Sequence, residues 1–194
     1  MLTRYFKSKF GDKKESIKET DDAKFKVGNS ISIDLISFIP IDEKLTETSI
    51  KSKLDISFKV TERYKTYCAE NELVSIYNKG DGYNLVEIAS SELLLFMPIY
   101  SAVLSDAELE EWLGNRGHFY SDEFNLDDVS FEREWISEEP VYLKENNSES
   151  LNMLFSRSIN DDINEFLLMT VNDGELFLSI GYNIKERCVT AEII

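Results

Sequence analysis

Leu73-Val74-Ser75-Ile76-Tyr77, then Lys79-Gly80-Asp81-Gly82, then Tyr83-Asn84-Leu85-Val86-Glu87-Ile88 is the stretch whose reading decides the fold. Two runs rich in β-branched and aromatic residues flank a polar segment whose glycines accept positive φ, which is the pattern of an antiparallel hairpin. The same pattern continues upstream. Ile31, Ile33 and Leu35 alternate with Ser32, Asp34 and Ile36, and Leu54-Asp55-Ile56-Ser57-Phe58-Lys59-Val60 alternates with period two, as a half-buried strand does. Tyr64–Cys68 extends the series. Downstream, 131–135, 141–143, 151–157, 165–171 and 176–182 read as further strands, and Asn172-Asp173-Gly174 supplies a second turn. One helix interrupts them. Ser105 caps Asp106-Ala107-Glu108, Glu108 completes a capping box, Leu109, Trp112 and Leu113 form the apolar face, and Gly114 stops it. The expected fold is therefore α+β, mainly antiparallel β-sheet with one or two short helices.

The charge is split along the chain. Residues 1–26 carry eight Lys/Arg against five Asp/Glu, net +3, so the other 168 residues carry −19 of the total −16. Two parts are expected: a basic amphipathic leader and linker over 1–26, and a single acidic β-rich domain over 27–194. In the leader, Leu2, Phe6 and Phe10 recur at i, i+4, i+8 with Tyr5 beside them, while Arg4, Lys7 and Lys9 fall off that stripe. As a helix it would suit an anionic membrane surface or a partner's apolar groove, and the alternative is a frayed tail. The body excludes nucleic acid. Residues 101–150 hold fourteen acids against three bases, net −11, which repels a phosphate backbone. The longest apolar run, Leu93–Tyr100, is too short to cross a membrane as a helix and reads as core. No secretory signal pattern precedes the body, and Cys68 and Cys188 have no paired or metal-type spacing. The expected location is cytoplasmic, with peripheral contact at the inner face of the membrane through residues 1–10.

The order of several pieces is familiar. Glu111-Trp112-Leu113-Gly114, Gly117-His118, Phe124 with Leu126-Asp127-Asp128, Phe131–Trp135, Met153–Arg157 and Glu165–Leu168 together resemble the YjfK-like family of bacterial proteins, a domain of unknown function. The likeness spans about residues 27–185. It implies a cytoplasmic bacterial protein with no assigned activity, encoded near a phage-shock-type membrane-stress protein and small membrane proteins. It fixes no chemistry.

The residues themselves argue against most enzyme chemistry. His118 is the single histidine, so any nucleophile–histidine scheme must pass through it, and its neighbours Asp122 and Glu123 lack metal-ligand spacing. Carboxylate pairs such as Asp127/Asp128 and Glu132/Glu134 are too numerous to single one out. No phosphate loop, dinucleotide turn or nucleophile elbow is present. No catalytic residue, cofactor or metal is therefore assigned. Arg133, between Phe131 and Trp135, is either a cation–π or ion-pair element of the core or an anchor of a recognition surface that takes in Trp112, Asp127, Asp128, Arg133 and Trp135. Three readings follow in order: a non-enzymatic interaction module whose leader meets a membrane or membrane-bound partner, an acidic immunity or antitoxin-like protein binding a basic partner, and a hydrolase using carboxylates or His118.

Overall fold

A computed structural model describes residues 25–36, 55–68, 71–77, 83–88, 92–114, 116–134, 141–145, 148–161 and 163–192. They form thirteen antiparallel strands in two sheets and one α-helix. The smaller sheet has the order β13-β1-β2, from β1 (Ser30–Asp34), β2 (Asp55–Lys59) and β13 (Val189–Glu192). Its alternation sorts the two faces: Ile31, Ile33, Ile56, Phe58 and Val189 are buried, while the Ser32 and Ser57 hydroxyls meet on the other face at 2.9 Å. Phe25 is also buried, so the core begins within the segment that the charge pattern assigns to the linker.

The larger sheet joins two meanders. β3 (Glu62–Cys68), β4 (Asn71–Tyr77), β5 (Asn84–Ile88) and β6 (Glu92–Val103) run in order, and β6 pairs with β12 (Glu175–Ile184). β12 is followed by β11 (Asn164–Asn172) and β10 (Ser148–Ser158). β8 (Val129–Arg133) and β9 (Val141–Glu145) share the far side of β10 end to end, and β7 (Glu123–Leu126) pairs with β8. β9 also touches β3, so the sheet curls back on itself. The hairpin expected from residues 73–88 is β4–β5, with Tyr77 opposite Asn84; its turn lies outside the described residues.

Three strands lacked a clean sequence signal. β6 is apolar on both faces, with Leu93 through Met97 all buried, so it shows no period of two. β7 and β13 have only four residues each. The turn Asp173-Gly174 has φ values of 48° and 79° between the paired Asn172 and Glu175, which is a two-residue reversal with both central residues left-handed.

The helix, α1 (Asp106–Leu113), forms as its sequence dictates. The Glu108 N–H donates to the Ser105 hydroxyl, and the Ser105 N–H donates to Glu108 Oε2 at 2.8 Å. The Ser105 hydroxyl, then its backbone N–H, holds the Glu108 carboxyl below its usual range. A depressed carboxyl stabilises fully above its unfolded value of about 4.3, and the contribution is lost as pH falls through the lower folded value. Ser105→Ala is therefore expected to lower Tm by about 2–4 °C at pH 7, with a smaller difference below about pH 4, measured by thermal melts across pH. Gly114 ends the helix without a positive φ; a Cβ there would meet the Glu110 carbonyl oxygen at 2.5 Å.

Candidate functional site

The chain from α1 to β8 folds into one lobe built on aromatic rings. After α1 the backbone folds back across the helix end, where a Cβ on Gly117 would lie 2.6 Å from the Glu111 carbonyl oxygen and 2.5 Å from that of Trp112. This close approach needs glycine and delivers the 3₁₀ turn His118–Tyr120 beneath the helix. The His118 ring then lies 4.6 Å from Trp112 and edge-on to Phe124 at 5.4 Å, and Phe124 continues to Phe155 at 6.1 Å. Such stacking ties the lobe to β10. The histidine is half-buried and serves here as a packed ring.

Arg133 is half-buried, and its guanidinium donates to the Tyr120 carbonyl at 3.4 Å, bracing the end of the 3₁₀ turn. A stacked cation is also present on β10. Arg157 lies over the Phe131 ring at 5.5 Å and donates from Nε to Glu165 Oε2 at 2.5 Å, and the Tyr182 hydroxyl donates to Glu165 Oε1 at 2.9 Å. Glu165 is fully buried. Two charged residues, Arg157 and Glu165, at inward positions of apolar strands form a recognisable anomaly. A second buried carboxylate, Glu134, accepts from the Ser156 hydroxyl.

The outer surface of the lobe is acidic. Between Asp106 and Glu132 every Asp and Glu is exposed, nine in all, against Arg116 as the one base. Three of these placements oppose local stability. Glu110 and Glu111 occupy the last turn of α1, where the helix dipole favours cations, and that turn has no base. Asp127 and Asp128 form the β7–β8 turn with φ of 49° and 64°, a conformation that Asn-Gly fills better and without adjacent like charges. Glu123 sits directly opposite Glu132 across the β7–β8 pair. Asp128→Gly is therefore expected to raise stability by about 0.5–1 kcal/mol, read from denaturant midpoints at unchanged slope.

Of the residues expected to form a recognition surface, Asp127 and Asp128 are exposed at the tip of this lobe, while Trp112 and Arg133 are half-buried in its support. Trp135 and the leader residues Leu2, Arg4, Tyr5, Phe6, Lys7, Lys9 and Phe10 lie outside the described residues. Among the described residues, no three His, Cys, Asp or Glu side chains converge as a metal site, and no helix is long and apolar enough to cross a membrane. Cys188 is a half-buried free thiol.

A family model described as a protein of unknown function, DUF2491, matches residues 5–192. The chain belongs to that family. The DUF2491 match begins inside the basic leader and runs through both sheets and the acidic lobe. No curated protein and no solved structure matches the chain.

Proposed function

We propose that this DUF2491 protein is a non-enzymatic interaction module whose α1–β8 lobe docks on a basic protein. The observation that carries this reading is the concentration of unfavourable acids on one lobe: a helix end, a turn and a cross-strand pair each hold negative charge where stability prefers something else. Proteins that break local rules in one place commonly do so for recognition. The surrounding acids would draw a basic partner in by long-range attraction, and the ring stack beneath would hold the surface rigid.

The resemblance to YjfK-like proteins supports a cytoplasmic setting near membrane-stress machinery. Residues 1–10 would then add a weak contact to an anionic membrane, since Arg4, Lys7 and Lys9 contribute about 1 kcal/mol each near such a surface.

The test compares wild-type protein with the triple variant Glu110→Lys, Glu123→Lys, Asp128→Lys as bait in extracts of the source cell. Wild type should retain a basic protein that salt elutes, and the variant should lose it while melting no lower than wild type. Equal retention by both baits would refute docking through the lobe.

A further inference from the structure

We propose that the outer edge of β6, from Ile99 to Val103, accepts an extended segment of a basic partner protein as an added strand. The proposal deepens the docking reading and rests on it for the partner's charge. β5 stops pairing with β6 at Asn84–Phe96, whereas β12 follows β6 as far as Val103 on its other side. Beyond Phe96, therefore, the outer edge of β6 has no paired strand among the described residues. Its backbone groups form a template for pairing.

Edges of this kind are ordinarily blunted by charge. Here the segment Ile99-Tyr100-Ser101-Ala102-Val103 carries none, in a chain of which 30% is charged. Pro98 and a bulge at Ile99 mark one limit of the open stretch, because proline has no N–H to offer and β6 has one residue more than β12 at this point. Two of the few large exposed apolar side chains lie within it, Tyr100 at 51% and Val103 at 81% exposure. Three residues apart on a strand, they project from opposite faces. A partner lying on either face would cover one of them; a strand added to the edge would flank both.

Charge selects the occupant. The edge runs straight into Ser105 and α1, where Asp106, Glu108, Glu110 and Glu111 are exposed. A segment extending past Val103 would meet these carboxylates with Lys or Arg, and would place β-branched or aromatic residues beside Tyr100 and Val103. A second copy of the chain would instead bring another −16 of charge to the contact.

Fluorescence anisotropy with the full chain tests this, using a labelled peptide of alternating valine and threonine that ends in lysines, and a twin N-methylated at alternate amides. Side chains and charges are the same in both; only backbone pairing differs. The parent should bind about tenfold more tightly than its twin, and hydrogen exchange should show new protection within residues 99–103. Equal binding by the two peptides, no binding by the parent at about 1 mM, or protection confined to other strands would overturn the proposal. So would concentration-dependent dimerisation that protects the same amides without peptide. Glu123 and Asp128 lie on β7 and its turn, five places from β6 in the sheet order. Peptide binding that withstands Glu123→Lys, Asp128→Lys, alongside loss of the natural partner, isolates edge pairing; intact partner retention by that variant would count against the lobe alone.

Discussion

Arg157→Ala is expected to lower stability by about 3 kcal/mol, the lower end of the range for removing one partner of a buried ion pair, because the Arg157 side chain is itself 22% exposed. The loss comes less from the missing attraction than from what remains. Glu165 has no exposed surface, and without Arg157 its carboxylate loses the cation that compensates its charge. For a chain of this size the change corresponds to about 6–12 °C in Tm. The double variant Arg157→Leu, Glu165→Leu should be more stable than Arg157→Ala, since it leaves no buried charge and fills the space with apolar groups. Denaturant melts of wild type, single and double variants decide the matter. A double variant less stable than the single would mean that the pair is worth more than its desolvation.

Gly181→Ala is expected to destabilise by about 2 kcal/mol, as overpacking a filled core does. A Cβ at this position would lie 2.4 Å and 2.5 Å from two carbons of the Phe96 ring, directly opposite on β6. Phe96 is 3% exposed, so its ring cannot swing out into solvent without losing buried contacts. The glycine is there for contact rather than for a turn: the ring lies over bare backbone and restores the apolar cover that a strand glycine lacks. Adding Phe96→Leu to Gly181→Ala should recover part of the loss, as read from thermal melts. If Gly181→Ala alone were neutral, the ring would have to sit elsewhere.

Legibility in the sequence followed the range over which each signal acts. The helix was readable because its cap is local: Ser105 and Glu108 lie three residues apart and satisfy one another. The β11–β12 hairpin was readable because Asp173-Gly174 carries its own backbone preference. β6 was not, because a strand buried on both faces loses alternation and resembles any apolar run. Phe25 was hidden by its charged neighbours, although its ring is buried with the core. In the candidate site, the exposed acids were visible as charge, but the strained Asp127-Asp128 turn and the Glu123–Glu132 pairing emerged only with the backbone angles and strand register. Glu165 is one of 37 acidic residues; its inward position on an apolar strand sets it apart, but its partners Arg157 and Tyr182 come from other strands and emerge only with the register.

The strand registers align Arg157, Glu165, Tyr182, Leu95 and Leu85 in a single row across five strands, and Arg157 lies over the Phe131 ring of β8 at one end of it. Alternation of apolar and polar residues rejects a slip of one residue, which would turn every side chain to the wrong face, but it is blind to a slip of two. Sliding β10 by two positions would keep each face intact and set Glu165 beside an apolar residue, such as Phe155, in place of Arg157. The cost would be a stranded charge. The Arg157–Glu165–Tyr182 cluster thus works as a key that rejects even-numbered misalignments, the errors to which a large antiparallel sheet is otherwise most open.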